Sequence, residues 1–324
     1  MKVLITGGAG FIGSHLAERL LSGGHEVLVL DNLSTGAMAN IEPLIDHAGF
    51  DYRIGSVLDG PLVSELVDRC DVTVHLAAAV GVRLIVEKPV HTIETNVHGT
   101  EVVLKAVANK QKPIVLASTS EVYGKSDKIP FSEGDDLVMG ATTHARWAYA
   151  CSKALDEWLG LAYFRDKGVP VTVVRLFNTV GPRQTGRYGM VLPTFAGQAT
   201  AGEPITVYGT GEQSRCFCHV QDAVRAIEAF VTGPSMAGEV FNVGSDREIT
   251  MNQLAEMVRT EAGSDSEILH IPYAEAYAEG FEDMQRRVPD VSKLERAIGF
   301  RPDTSLEQIV ADVVAEQQAA LRPA

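Results

Sequence analysis

Residues 3–20 read VLITGGAGFIGSHLAERL, and this stretch decides the fold. An apolar strand, Lys2–Thr6, enters a glycine-rich turn, after which Phe11, Ile12, His15, Leu16, Arg19 and Leu20 recur at helical spacing. Between strand and helix, Gly7, Gly10 and Gly13 stand at G-x-x-G-x-x-G spacing. Glycine permits a tight turn and lets the backbone approach a bound group. The helix start adds unpaired N–H groups and the positive end of its dipole. Strand, turn and helix in that order make a seat for a pyrophosphate.

A second strand, Glu26–Leu30, leads to Asp31, 18 residues after Gly13. A carboxylate there accepts hydrogen bonds from ribose hydroxyls and repels a 2′-phosphate, so NAD is expected rather than NADP. The alternation continues through Tyr52–Ile54, a helix near Leu62–Val67, Val72–Leu76, a long helix over Val90–Asn109, a strand Pro113–Ala117, a helix over Arg146–Arg165 and a strand Val171–Leu176. Strands alternating with helices imply parallel strands joined by right-handed crossovers. The expected fold class is therefore α/β, a doubly wound parallel (Rossmann) sheet with a smaller C-terminal α/β lobe.

After residue 178 the pattern changes, with frequent Gly and Pro, short segments, and helices near Gln221–Val231 and Asn252–Glu261. The expected division is a NAD-binding Rossmann domain over 1–178 and a lobe over 179–324 that lies on the carboxyl edge of the sheet and receives the substrate. Val240–Val243 is expected to return to the main sheet.

A net charge of −14 on 324 residues argues against nucleic acid or an anionic membrane as partner. No apolar run approaches the roughly 18 residues of a membrane span, and no signal-like segment precedes the first strand, so a soluble cytoplasmic protein is expected. Cys70, Cys151, Cys216 and Cys218 fit free thiols in a reducing compartment. Cys216, Cys218 and His219 lack a second ligand pair at zinc spacing, so no metal is expected.

Two further stretches carry chemistry. In RWAYACSKALDEW, Tyr149 and Lys153 are four residues apart, on one face of a helix. An ammonium beside a phenol favours the phenolate, which can then take a proton from a sugar hydroxyl as hydride leaves for nicotinamide. In STSEVYG, residues 118–124, an apolar strand runs directly into hydroxyls and a carboxylate at the sheet edge where ligands lie.

The N-terminal glycine motif, VHLAAAV at 74–80, STSEVYG, YACSK and RLFNTVGPRQ at 175–184 occur in order. Together they resemble the extended short-chain dehydrogenase/reductase family of NAD-dependent nucleotide-sugar epimerases, dehydratases and decarboxylases, over nearly the whole chain. The resemblance implies a bound NAD that oxidises sugar C4 and later returns the hydride. It makes Tyr149 the base for the C4 hydroxyl, Lys153 the partner of the nicotinamide ribose, and Thr119 the hydroxyl between Tyr149 and substrate O4. Cofactor contacts are implied at Gly7, Gly10, Phe11, Ile12, Gly13, Asp31, Asn32, Ser34, Gly36, Ser56, Val57, Leu76, Ala77 and Ala78, although the family often has Asp where Ser56 stands. Substrate contacts are implied at Ser120, Asn178, Val191, Leu192, Val207, Tyr208 and Arg215. Long helices near 90–109 and 146–165 resemble those that pair two subunits, so a homodimer is expected.

A C4-keto sugar has several fates: epimerisation at C4, 4,6-dehydration, or loss of CO₂ when C6 is a carboxylate. Glu121 within Thr-Ser-Glu resembles the UDP-glucuronate decarboxylases and also the GDP-mannose 4,6-dehydratases. SRCF at 214–217 and YAEGFEDMQRRVPDVSK at 277–293 resemble decarboxylases, in which the latter segment supplies a catalytic arginine matched by Arg287, with Arg286 its neighbour. Ile85 stands where those decarboxylases carry a tyrosine, and AAVGVRLIVEKP looks instead like 4-epimerases, with Arg83 a contact for carboxylate or phosphate. The closest resemblance is to UDP-glucuronate decarboxylases, with a UDP-sugar 4-epimerase or a 4,6-dehydratase as the alternatives.

Overall fold

The structure, a computed structural model, describes residues 1–81, 88–144, 147–186, 190–272, 275, 284 and 286–321. The strands are β1 (Lys2–Thr6), β2 (Glu26–Asp31), β3 (Phe50–Ile54), β4 (Val72–His75), β5 (Ile114–Thr119), β6 (Val171–Leu176), β7 (Thr179–Val180), β8 (Ile205–Tyr208), β9 (Ser214–Cys216), β10 (Cys218–His219), β11 (Val240–Val243), β12 (Glu248–Thr250) and β13 (Ile268–Ile271). Seven form one parallel sheet in the order β11-β6-β5-β4-β1-β2-β3. The order reverses between β1 and β4, and that switch point opens a crevice at the carboxyl ends of the strands. Central strands such as β1 and β4 are apolar runs because helices cover both faces.

The helices are α1 (Phe11–Ser22), α2 (Gly60–Asp68), α3 (Pro89–Ile93), α4 (Gly99–Lys110), α5 (Trp147–Lys167), α6 (Val191–Ala201), α7 (Val220–Thr232), α8 (Met251–Glu261), α9 (Ser292–Ile298) and α10 (Leu306–Ala320). One face of the sheet packs on α1 and α7 through residues such as Leu16, Leu20, Val224 and Ile227. The other packs on α2, α4 and α5 through Leu66, Val103, Val107 and Tyr163. A third core unites α6, α8 and α10 through Leu192, Phe195, Leu254, Val310 and Val313.

Several sequence expectations shift in detail. Val240–Val243 does return to the main sheet, beside β6. The helix near Gln221–Val231, expected in the C-terminal lobe, belongs to the sheet's own core. Val220, Ala223, Val224, Ile227 and Val231 form a buried stripe at helical spacing that faces α1. The long helix over 90–109 is not uniform: α3 and α4 are joined by a π-helical stretch, Glu94–His98.

Strand β5 continues through two hydroxyl residues, with Ser118 opposite Arg175 and Thr119 opposite Leu176. Polarity does not end it because Ser118 donates to Glu157, which also receives Arg175 from β6 through Nε at 3.0 Å and Nη2 at 2.7 Å. Arg175 and Glu157 are buried. The guanidinium also lies 4.7 Å from the centre of the Tyr123 ring. Burial works against the guanidinium's charge, but Glu157 outweighs it and holds the proton more tightly than usual. Glu157→Ala leaves that cation buried without its carboxylate and is expected to cost about 3–5 kcal/mol of stability. Urea denaturation measures this, and a loss below about 1 kcal/mol would contradict the role given to the pair.

Candidate active site

The glycine turn stands at the switch point. Gly7 has φ +75°, and a Cβ there would lie 2.8 Å from the Ala77 amide nitrogen, so only glycine lets β1 turn this close to the end of β4. Gly10 caps α1 without a side-chain hydrogen bond, and the first turn of α1 has no acidic residue. Its leading N–H groups are thus suited to an anion. Asp31 ends β2, where Oδ2 accepts from Ala9 N at 3.0 Å and Oδ1 from Leu33 N at 2.8 Å. Burial pushes its carboxyl up, and these backbone donors oppose the shift.

These groups open onto a cavity of about 820 Å³, within the range of about 300–1,000 Å³ typical of small-molecule sites. Gly7, Gly10, Phe11, Ile12, Gly13, Asp31, Asn32, Ser34, Val57, Leu76, Ala77 and Ala78 line one end. Thr119, Ser120, Glu121, Tyr149 and Lys153 line the middle, and Asn178, Val191, Leu192, Tyr208 and Arg215 the far end.

Three expected contacts are not among the lining residues. Val207 is fully buried in the α6–α8–α10 core, while Thr206 and Tyr208, on the opposite face of β8, line the cavity. Ser56 faces its own turn, its hydroxyl accepting from Leu58 N at 3.2 Å. Gly36 packs behind Asp31, where a Cβ would stand 2.9 Å from the Ala9 carbonyl. Arg83 and Ile85 lie outside the described residues.

The middle of the cavity is built from β5 and α5. Tyr149 is 7% exposed and Lys153 3%. Thr119 Oγ1 accepts from Glu121 N at 3.2 Å, which leaves its O–H to donate into the cavity. Arg287 lines the same cavity. Arg286 turns outward to Glu248, donating from Nε and Nη2 at 2.7 Å each. Arg287 turns inward, and its Nη1 lies 3.6 Å from Glu121 Oε1, with the two side chains only 11% and 13% exposed. Backbone bonds hold this segment to Phe131, from Phe131 N to Val288 O and from Asp290 N to Phe131 O, each 2.8 Å.

Sequence reasoning missed several residues. Asn96, in the π-helical stretch, accepts from Ala79 N at 2.8 Å and donates to Ser152 Oγ at 3.1 Å, tying the cavity wall to α5. Nothing in the periodicity of Val90–Asn109 marks it. Arg183 lines the cavity and is held by Glu18 and by Ser14 Oγ, at 2.5 and 3.1 Å, beside the start of α1. Its place directly after Gly181-Pro182, a turn signal, was the available clue. Cys216 and Cys218 are buried thiols, and burial pushes Cys216 up to about 12. Among the described residues no group of three His, Cys, Asp or Glu side chains is placed to hold a metal, and no helix is long and apolar enough to cross a membrane.

Comparison with known proteins bears on this arrangement. The family described as GDP-mannose 4,6 dehydratase matches residues 4–313. The UDP-N-acetyl-alpha-D-glucosaminuronate decarboxylase of Bacillus cytotoxicus is 43% identical over 314 residues, covering 97% of this chain and 96% of that protein. UDP-glucuronic acid decarboxylase 1 of Xenopus tropicalis is 36% identical over 310 residues, 95% of this chain and 70% of that one. Among solved structures, the dTDP-glucose 4,6-dehydratase DesIV of Streptomyces venezuelae, with NAD and TYD bound, has a TM-score of 0.88 at 30% identity and covers 98% of this chain and 97% of its own. Agreement of this extent makes the chain a member of the GDP-mannose 4,6-dehydratase-like branch of the extended short-chain dehydrogenases/reductases, NAD-dependent enzymes of nucleotide sugars.

Proposed function

We propose that the chain is a UDP-hexuronate decarboxylase, acting on UDP-glucuronate or its 2-acetamido counterpart. The observation that carries this is the Glu121–Arg287 pair, a carboxylate and a guanidinium 3.6 Å apart in the cavity that Thr119 and Tyr149 also line. A guanidinium there suits a sugar with a carboxylate at C6, the group that decarboxylation removes. The decarboxylases of Bacillus cytotoxicus and Xenopus tropicalis support the same choice.

NAD would be held at the glycine turn, the start of α1 and Asp31, and would supply the hydride acceptor and donor for C4. Tyr149 Oη takes the proton of the 4-hydroxyl, holds it, and returns it to O4 at the end. The Lys153 ammonium favours the phenolate that accepts this proton, and the Thr119 hydroxyl orients O4. Arg287 binds the C6 carboxylate, oriented by Glu121. With C4 as a ketone the substrate is a β-keto acid. Its C5–C6 bond breaks, CO₂ leaves, the bonding electrons pass into a C4–C5 enolate, and C5 takes a proton from a water beside Arg287.

Incubation with UDP-glucuronate and, separately, UDP-N-acetylglucosaminuronate tests the choice of substrate. NMR is expected to show a UDP-pentose or its 2-acetamido form. UDP-galacturonate as product would turn the assignment to 4-epimerisation.

The enzyme is further proposed to be a cytoplasmic homodimer. Its cysteines among the described residues are free, as a reducing compartment allows. Val90 and Ile93 on α3 and Leu155 and Trp158 on α5 are exposed at 67%, 44%, 46% and 60%, and the two helices pack side by side. Such a patch suits a second copy of the same helices. Trp158→Glu is expected to halve the mass measured by light scattering, and a monomeric wild type would contradict the dimer.

A further inference from the structure

Tyr149, Lys153 and Asp156 stand at i, i+4 and i+7 of α5, one stripe facing the sheet. Lys153 Nζ lies 2.8 Å from Asp156 Oδ2, and the two side chains are 4% and 1% exposed. The reaction above uses Tyr149 and Lys153 but has no task for this buried carboxylate.

The surroundings are arranged to receive a negative charge. Thr6 Oγ1, which accepts from the Ala77 amide at 3.4 Å, meets His75 Nδ1 at 2.7 Å. His75 Nε2 meets Thr100 Oγ1 at 3.2 Å. His75 is wholly buried, and burial, with the Lys153 charge nearby, takes its pKa down to about 3, so the ring is neutral. Assigning the Thr6 proton to Nδ1 places the ring's single proton on Nε2, facing Thr100. The Thr100 proton is then left for Asp156. Thr100 stands close enough to lower the carboxyl's proton affinity, although Oδ1 forms no full hydrogen bond among the described residues. The chain of donors thus runs from the cofactor wall at Ala77 to the carboxylate that holds Lys153.

We propose that Asp156 is a positioning residue that anchors the Lys153 ammonium and sets how strongly that charge stabilises the Tyr149 phenolate. Burial pushes the carboxyl up while Lys153 and Thr100 pull it down. The other titratable groups bearing on the pair among the described residues are His75 from β4 and Glu157 from α5, with Tyr149 one turn before Lys153 on the same stripe. His75 is neutral, and Glu157 is committed to Arg175. The π-helical stretch and α4 bring the uncharged Asn96 and Thr100 to this region. Asp156 is therefore the anion that offsets Lys153. Without it, the full charge of Lys153 falls on Tyr149, and the phenolate forms at lower pH.

The proposal rests on Tyr149 as the base, but its test needs no sugar nucleotide, so failure to release CO₂ and failure here are separate results. The phenolate of Tyr149 is read as the ultraviolet difference between the enzyme and its Tyr149→Phe variant across a pH titration. In an Asp156→Asn background the transition is expected about one pH unit lower, with Asp156→Glu returning it toward wild type. If Asp156→Asn does not fold, Thr100→Val, which removes the donor and keeps the volume, is expected to lower the transition by a smaller step. A transition that stays in place or rises in the variant that folds would overturn the proposal. A role confined to stability would leave it in place.

Discussion

Tyr149→Phe is expected to lower turnover by about 10²–10⁴-fold, the usual contribution of a positioned acid–base group, while NAD stays bound. The substitution removes one oxygen from a side chain that is 7% exposed and keeps the ring, so the helix and cavity are expected to persist. The missing atom is the one proposed to hold the C4 hydroxyl proton. Lys153, one turn on, cannot replace it, because its ammonium is already committed to Asp156 at 2.8 Å. Turnover by NMR, with retained cofactor read by absorbance after gel filtration, checks both parts. Near-wild-type turnover would remove the base assignment.

Arg287→Ala is expected to lower CO₂ release by about 10²–10³-fold, the scale of losing one charge-stabilising donor in a water-poor site. It also leaves Glu121, whose side chain is 13% exposed, without its guanidinium partner, and that carboxylate then repels a substrate carboxylate. Oxidation at C4, which the proposed mechanism assigns to Tyr149, Lys153 and Thr119, is expected to survive better than carbon–carbon cleavage. Absorbance of NADH during turnover should therefore rise in the variant as product formation falls. Arg287→Lys keeps the charge but loses the planar fork, and is expected to fall between the two. Equal loss of both steps would point to a general collapse of the cavity rather than to a role in decarboxylation.

The glycine turn, Asp31 and the strand–helix alternation were legible because each rests on local chemistry: close backbone approach, a helix N-terminus and hydrophobic periodicity. Helical spacing put Tyr149 and Lys153 on one face, and the glycine motif upstream gave that pairing its meaning. What was hidden depends on tertiary partners. Period-2 alternation places Val207 opposite Thr206 and Tyr208 but does not say which face meets the lobe core. Ser118 looks like the end of a strand until Glu157 and Arg175 are found waiting for its hydroxyl. The resemblance singled out Arg287 over its neighbour Arg286, but their partners, Glu121 for one and Glu248 for the other, come from other elements. Asp156 was visible at i+3 from Lys153, yet its meaning depends on Thr100 and His75, which come from other elements.

The most direct measurement follows the carbon that Arg287 is proposed to hold. UDP-glucuronate, or its 2-acetamido counterpart, labelled with ¹³C at C6 is incubated with the enzyme and NAD, and the label is followed by NMR. The expected result is transfer of the label to CO₂ and bicarbonate, matched one for one by a UDP-pentose or its 2-acetamido form. Label retained in a UDP-hexuronate epimer, or no turnover of either substrate, would contradict the assignment.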